Sequence, residues 1–155
     1  NDPSNDLGEV DESARAARSV NTIAVSGGRL IGSNTDGDGC CNAIEQAGVG
    51  IAGSRVVVVG AGGTARAIVA TLARRGASDV AVINRTESRA QDVVASTNVG
   101  RVGKAEDLAD ATILINATSV GMGTQETPLD ATRPRPKPIK TDRSMSELLI
   151  EMRSE

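Results

Sequence analysis

The spacing of apolar residues predicts strands and helices that alternate along most of the chain. Four valines stand together at residues 56–59, and further apolar runs lie within residues 79–83 and 112–116. Unbroken apolar runs of this length are typical of strands covered on both faces, as in a parallel sheet flanked by helices. Between the runs, residues 64–75 and 88–96 are predicted helices. The alternation predicts an α/β fold built on a parallel sheet.

The first part of the chain follows a different pattern. Residues 9–18 are rich in Ala, Arg and Glu and predict a short helix. Residues 20–25 and 29–32 are apolar segments on either side of a Ser-Gly-Gly turn, which predicts a β-hairpin. A further helix is expected to begin at Thr35 or Asp36, since either side chain can cap it, and to end before the valine run.

A glycine-rich segment, GAGGTARA from residue 60, joins the valine run to the next helix. Gly60 and Gly62 permit a tight turn and let backbone N–H groups approach a phosphate, while the helix that follows directs the positive end of its dipole at the anion. A plain strand-to-helix turn is the alternative interpretation of this segment taken alone. In the context of alternating strands and helices, the segment predicts a Rossmann-like dinucleotide-binding unit.

The end of the next predicted strand indicates which dinucleotide is bound. NAD-binding units usually place Asp or Glu there to accept hydrogen bonds from the ribose 2′-hydroxyl. Here the residues are Asn84, Arg85 and Thr86, which suit a 2′-phosphate because they supply a positive charge and neutral donors. The cofactor is therefore expected to be NADP. Arg89, four residues after Arg85, is expected to share a helical face with it; the alternative for both arginines is a solvated surface position.

Composition excludes several classes of function. The net charge is −3 and the pI is about 5.1, so there is no electrostatic case for a nucleic-acid or membrane partner. No apolar run approaches membrane-spanning length and no signal-peptide pattern is present, so a cytoplasmic protein is expected. Cys40 and Cys41 are adjacent, which suits neither a structural disulfide nor a metal site, and they are expected to be apolar helix residues in a reducing compartment. The chain contains no His, so proton transfer must use Lys, Asp, Glu or Cys.

Five motifs occur in the order and at the spacing of one known family. They are SVNTI (19–23), GSNTDG (32–37), GAGG (60–63), NRTESR (84–89) and INATSVGM (115–122). With these motifs the chain resembles the shikimate dehydrogenases, including the quinate/shikimate enzymes. The resemblance implies reversible hydride transfer between NADPH and 3-dehydroshikimate to give shikimate, on the route to aromatic amino acids.

The resemblance also implies roles for individual residues. Asn21 would bind a substrate hydroxyl, and Asp36 would be the catalytic carboxylate that is paired with a lysine at the substrate. Without the family resemblance, a turn residue is the favoured interpretation of Asn21 and a helix cap that of Asp36. The implied cofactor-binding residues are Gly60, Ala61, Gly62, Gly63, Thr64, Asn84, Arg85, Thr86, Arg89, Thr118, Val120 and Met122. No metal site is implied.

The chain departs from the family in several respects, of which the most important is that the Asn-Val-Thr-x-Pro-x-Lys segment that supplies the family's catalytic lysine is not present. We therefore expect residues 1–34 to be a remnant of the substrate-domain edge, residues 35–130 to be the NADP-binding domain, and residues 131–155 to be a Pro-rich linker and a short helix. The sequence leaves open whether this chain alone turns over substrate. A homodimer that binds a small-molecule substrate is compatible with the sequence.

Two other functions remain open at this point. The first is a non-catalytic NADP-binding module or sensor. The second is a related amino-acid or tetrahydrofolate dehydrogenase, which the motifs at residues 20–22 and 34–37 disfavour.

Overall fold

The structure is a computed structural model and describes residues 8–120, in which two β-sheets organise the chain. The strands are β1 (Glu9–Val10), β2 (Thr22–Ser26), β3 (Arg29–Ser33), β4 (Arg55–Val59), β5 (Asp79–Ile83), β6 (Gly100–Val102) and β7 (Ile113–Asn116). The α-helices are α1 (Glu12–Ala17), α2 (Asp36–Gln46), α3 (Gly63–Arg74) and α4 (Glu87–Val94), and a 3₁₀ helix covers Ala105–Ala109. The first sheet has strand order β1-β3-β2 and the second β6-β5-β4-β7.

All strand pairs in the four-stranded sheet are parallel. Val59 lies opposite Ile83 on one side and Asn116 on the other, so the carboxyl ends of β4, β5 and β7 reach the same edge. Strand β5, the next in the chain, lies on one side of β4, and β7, which comes later, lies on the other side of β4. In an open α/β sheet this reversal of strand order marks the crevice where ligands bind.

The valines of β4 alternate between two apolar clusters. Val56 and Val58 pack with Leu72 of α3 in the larger cluster, which also contains residues of α2 and α4. Val57 packs on the opposite face of the sheet, in a smaller cluster that includes Leu108 of the 3₁₀ helix. The prediction that this run is buried on both faces of a parallel sheet is confirmed, and so is the Rossmann-like α/β fold class.

The three-stranded sheet contains the predicted hairpin. Gly27 and Gly28 form its turn with φ of +56° and +77°, values that glycine adopts without steric cost. Ile23 and Val25 of β2 are 66% and 73% exposed, and Leu30, which lies opposite Val25, is 43% exposed. Directly opposed residues share a face of a sheet. The described residues therefore leave an apolar face of this sheet uncovered.

The prediction of a helix over residues 9–18 is wrong at its first residues. Glu9 and Val10 form strand β1, which pairs in parallel with β3, and α1 begins only after Asp11. The Asp11 carboxylate caps the helix by accepting from the backbone N–H of Ala14 at 2.9 Å. Composition predicted the helix but could not show that β3 offers a partner to the two preceding residues.

The prediction that the side chain of Thr35 or Asp36 caps α2 is also wrong. Thr35 occupies the N-cap position but makes no capping hydrogen bond with its side chain, and Asp36 is the first residue of the helix. The backbone N–H of Asp36 instead donates to Oδ1 of Asn34 at 3.0 Å. The Asp36 carboxylate is thereby left for other contacts.

Both cysteines lie on α2 and are buried, as predicted. Burial raises the pKa of the Cys40 thiol to about 12 and that of the Cys41 thiol to about 11, so both remain protonated at neutral pH. No helix within residues 8–120 has the length and hydropathy needed to cross a membrane. Met122 and the predicted linker and helix of residues 131–155 lie outside the described residues.

Candidate active site

The glycine loop after β4 is shaped by contact with the loop after β7. Gly60 has φ of +116°, and a Cβ there would lie 2.7 Å from the backbone oxygen of Ala117, so only glycine fits. Gly62, in contrast, faces open space, since a Cβ there would meet nothing within 4 Å. The loop is therefore closed toward β7 and open above Gly62.

The amino end of α3 presents unused backbone donors at this opening. The helix begins at Gly63, and the backbone N–H of Arg66 donates to the oxygen of Gly62 at 3.1 Å. The N–H groups of residues 63–65 precede this bond and have no acceptor within the helix. Donors of this kind, together with the helix dipole, form an anion site.

The segment after β5 lies beside the glycine loop, because the backbone N–H of Gly60 donates to the oxygen of Ile83 at 2.8 Å. Within that segment, Nδ2 of Asn84 donates to the oxygen of Thr86 at 2.8 Å. The side chains of Arg85 and Arg89 are both exposed, and neither makes an ion pair or hydrogen bond with any described residue. Two guanidinium groups are thus available at the edge of the crevice.

The prediction that these two arginines share a helical face is wrong. Helix α4 begins at Glu87, so Arg89 lies in its first turn and Arg85 precedes it. The four-residue spacing brings side chains together only when both residues are helical.

The loop after β7 is held by Asn116, a residue that the sequence reasoning did not assign to the site. Its Oδ1 accepts from the backbone N–H and the hydroxyl of Thr118, at 3.0 and 2.7 Å, and its Nδ2 donates to the oxygen of Val120 at 3.0 Å. The Thr118 hydroxyl in turn accepts from the N–H of Val120 at 3.2 Å. An asparagine at a strand end is the signal that could have identified this role, because its side chain can replace backbone partners in a turn.

Asn21 and Asp36, the two residues expected to contact substrate, are hydrogen-bonded to each other. Nδ2 of Asn21 donates to Oδ1 of Asp36 at 2.7 Å. The second carboxylate oxygen, Oδ2, accepts from the hydroxyl of Thr64 at 3.0 Å. Asp36 therefore connects the residue before β2 to the second residue of α3, directly beside the glycine loop.

Asn34 holds the turn that leads to Asp36, and it is a second residue that the sequence reasoning did not assign to the site. It is only 3% exposed, and its backbone N–H donates to Oγ of Ser13 at 2.9 Å. Its side chain donates to the oxygen of Ser19 at 3.2 Å and accepts from the N–H of Asp36. A buried amide with all of these partners fixes the turn from which α2 begins.

Helices α2 and α3 touch at backbone level next to Asp36. A Cβ at Gly37 would lie 2.4 Å from the backbone oxygen of Ala67 and 2.3 Å from Oγ1 of Thr71. A real Cβ cannot lie that close to other atoms, so only glycine fits at position 37. Gly37 thereby lets α2 lie directly against α3. This contact sets the distance between Asp36 and the glycine loop.

One further polar group lies close to the loop. Nε of Arg66, in the first turn of α3, is the single buried side-chain nitrogen or oxygen in residues 8–120 that lacks a hydrogen-bond partner.

Asp36 has no ion-pair partner among the described residues, and Lys104, the one lysine in that range, follows the edge strand β6. No cluster of His, Cys, Asp or Glu in residues 8–120 is arranged to hold a metal ion.

Comparison with known proteins gives a consistent result. The profile of the shikimate / quinate 5-dehydrogenase family matches residues 43–129. The NADP-dependent shikimate dehydrogenase of Geobacillus sp. (strain WCH70) is 42% identical over 146 residues, which cover 88% of this chain and 53% of that protein. The chain thus spans about half the length of the curated relatives it matches.

Solved structures agree with the sequence relatives. Shikimate 5-dehydrogenase from Thermus thermophilus, in complex with NADP(H) and shikimate, superimposes with a TM-score of 0.72 at 34% identity, covering 80% of this chain and 47% of that one. The 5-ketofructose reductase of Gluconobacter sp. strain CHM43, in ligand-free form, gives a TM-score of 0.68 at 36% identity, with coverage of 86% and 49%. With a family profile matching more than half of its residues and a relative 42% identical over most of its length, the chain belongs to the shikimate / quinate 5-dehydrogenase family.

Proposed function

We propose that this chain binds NADP(H) at the carboxyl edge of its parallel sheet and functions as an NADP-dependent shikimate dehydrogenase. The reaction is the reversible transfer of hydride between NADPH and 3-dehydroshikimate. The observation that carries the proposal is the pair of hydrogen bonds that join Asn21, Asp36 and Thr64, since they place the expected substrate residues directly against the expected cofactor loop.

The glycine loop fits the diphosphate of a dinucleotide. Space is open above Gly62, and the first N–H groups of α3 lack acceptors within the helix. Residues 60–64 would form the diphosphate loop: the N–H of Gly60 is used by Ile83, so Gly60 shapes the turn, and residues 61–64 would offer their backbone N–H groups to the anion. Thr118, Val120 and, outside the described residues, Met122 are proposed to lie beside the nicotinamide, which supplies or accepts the hydride when bound.

The residues after β5 fit the 2′-phosphate of NADP. Arg85 is exposed and has no partner among the described residues that a phosphate would have to displace. Asn84 and Thr86 flank it with neutral polar groups, and no carboxylate stands at the strand end to repel the phosphate. We assign Arg85 as the main contact and Arg89, in the first turn of α4, as a second positive charge.

On the substrate side, Asn21 and Asp36 would bind the hydroxyl groups of the ring. Oδ1 of Asn21 accepts from the backbone N–H of Thr35 and the hydroxyl of Thr22, but Nδ2 carries two hydrogens, so Asn21 can donate to a hydroxyl while it holds Asp36. The Asp36 carboxylate can accept a hydrogen bond from the hydroxyl at the reacting carbon and so orient it toward the nicotinamide.

A second candidate function rests on what surrounds Asp36. No cation pairs with it among residues 8–120. A chain that binds NADP without turnover, as a binding module or sensor, is therefore the alternative.

Titration calorimetry tests the cofactor assignment. Wild-type protein is expected to bind NADP⁺ more tightly than NAD⁺, and Arg85→Gln to weaken NADP⁺ binding by about 1.5–3 kcal/mol, or roughly 10- to 150-fold, with little effect on NAD⁺. Arg55→Gln is a matched control, because Arg55 lies at the opposite end of β4 and is also exposed. Equal affinity of wild type and Arg85→Gln for NADP⁺ would remove Arg85 from the site.

Turnover is tested by absorbance at 340 nm with shikimate and NADP⁺. A rate above background that is lost in Asp36→Asn supports the dehydrogenase. NADP⁺ binding without any rate supports the module. Reduction of 5-ketofructose, but not of 3-dehydroshikimate, by NADPH would indicate instead the activity named for the Gluconobacter relative.

We further propose a homodimer and a cytoplasmic location. The uncovered apolar face at Ile23, Val25 and Leu30 is the surface that favours self-association. The free, buried Cys40 and Cys41 suit a reducing compartment. Light scattering after gel filtration is expected to give twice the chain mass for wild type and a monomer for Val25→Glu, and cell fractionation tests the location.

A further inference from the structure

The hydroxyl of Thr64 has one proton, and the structure directs it to Asp36 rather than to the open space above the glycine loop. The distance from Oγ1 of Thr64 to Oδ2 of Asp36 is 3.0 Å. A hydroxyl carries one donor and accepts through its lone pairs. While this bond is made, Thr64 has only its backbone N–H to offer a phosphate.

The two residues are held in register by the packing of their helices. Asp36 is the first residue of α2 and Thr64 the second of α3. The backbone contact at Gly37 fixes the two helices against each other one residue away from Asp36. The Asp36–Thr64 bond therefore joins two anchored positions near the start of packed helices.

The Asp36 carboxylate is held at both oxygens by neutral donors. Nδ2 of Asn21 reaches Oδ1 at 2.7 Å and the Thr64 hydroxyl reaches Oδ2 at 3.0 Å. One donor would leave the carboxylate free to rotate about its terminal bond, whereas two donors on opposite oxygens fix its plane. Each oxygen retains a lone pair for a further hydrogen bond.

We propose that Thr64 is a positioning residue for Asp36 and that its hydroxyl is not a phosphate ligand. It orients the carboxylate from the cofactor side, as Asn21 does from the substrate side, so that the remaining lone pairs point to the substrate hydroxyl. This inference rests on the proposed function for the role of Asp36, but the orientation itself can be measured without cofactor or turnover.

The test compares Thr64→Val, which keeps the branched shape and removes the hydroxyl, with Thr64→Ser, which keeps the hydroxyl. In the full chain without ligand, ¹⁵N–¹H NMR is expected to show the side-chain NH₂ of Asn21 shifted in Thr64→Val and at its wild-type position in Thr64→Ser. Calorimetry is expected to give NADP⁺ dissociation constants within twofold of wild type for both variants. Thr64→Ala serves as a second variant if Thr64→Val does not fold.

Two results would overturn the inference. One is an Asn21 NH₂ signal that is unchanged in Thr64→Val, since the carboxylate would then be oriented without Thr64. The other is a tenfold or greater loss of NADP⁺ affinity in Thr64→Val with affinity retained in Thr64→Ser, because the hydroxyl would then serve the phosphate. If wild-type protein fails to bind NADP⁺, the proposed function falls, and the Asn21 signal still decides whether Thr64 orients Asp36.

Discussion

Replacing Gly37 by alanine perturbs the contact on which the geometry of the site depends. The added Cβ would lie 2.4 Å from the backbone oxygen of Ala67 and 2.3 Å from Oγ1 of Thr71. The Thr71 side chain can rotate, but the Ala67 oxygen moves only with helix α3. Reaching an ordinary contact of 3.4 Å requires the helices to separate by about 1 Å (3.4 − 2.4).

The expected cost follows from that separation. Overpacking of a close contact costs about 1–3 kcal/mol, while Gly→Ala within a helix contributes about 1 kcal/mol in the opposite direction. The separation also opens the interface that buries Cys40, Cys41 and Ile44, so the upper part of the range applies. We expect a net loss of about 1–2 kcal/mol in the free energy of unfolding.

Urea unfolding followed by far-UV circular dichroism measures this loss, because the chain has no Trp or Tyr to report by fluorescence. Gly39→Ala is the matched control, since it lies on the same helix and a Cβ there would meet nothing within 4 Å. The control is expected to gain about 0.5–1 kcal/mol. A Gly37→Ala protein as stable as wild type, or a gain equal to that of the control, would refute the close contact between α2 and α3.

The other predictions concern charge and thiol chemistry. Arg101 donates to Asp79 and, at 2.7 Å, to Asp107, so Arg101→Met is expected to lower stability at pH 7 by about 1 kcal/mol. The hydrogen bond from Arg101 lowers the pKa of Asp107 in the folded protein. The bond therefore stabilises the fold at pH values above the pKa that Asp107 has in the unfolded chain, and this stabilisation is lost as the pH falls through the pKa of Asp107 in the folded protein. The difference between wild type and Arg101→Met should therefore narrow below about pH 4 in urea titrations, and a constant difference down to pH 2 would contradict it. Because burial raises the pKa values of Cys40 and Cys41, Ellman's reagent at pH 8 should react slowly with native protein and rapidly with two thiols in urea; rapid reaction of the native protein would show that α2 is not packed as described.

Local sequence patterns predicted the helices and strands in which burial follows a regular pattern from one residue to the next. The valine run of β4 and the strand at Asp79–Ile83 were predicted within one residue, because burial on both faces requires continuous apolar residues. Strand β6 has three residues and β1 has two, too few for a period to appear. These strands form because a neighbouring strand offers hydrogen bonds, and no local pattern records that partner.

The same distinction applies to the site. Glycines after a strand predicted the tight turn into α3, which is the proposed phosphate loop, since such a turn depends on local backbone freedom. The role of Asn34 and the bond from Thr64 to Asp36 depend on contacts between residues far apart in sequence. The Asp36–Thr64 pair is separated by 28 positions and is brought together by the crossing of α2 and α3, which the sequence shows only as a glycine at position 37.

A crystal structure of the chain soaked with NADP⁺ tests the central claim most directly. We predict the diphosphate within hydrogen-bonding distance of the backbone N–H groups of residues 62–64 and the 2′-phosphate at the guanidinium of Arg85. Clear density for the dinucleotide at any other surface, with the glycine loop well ordered and empty, would contradict the account.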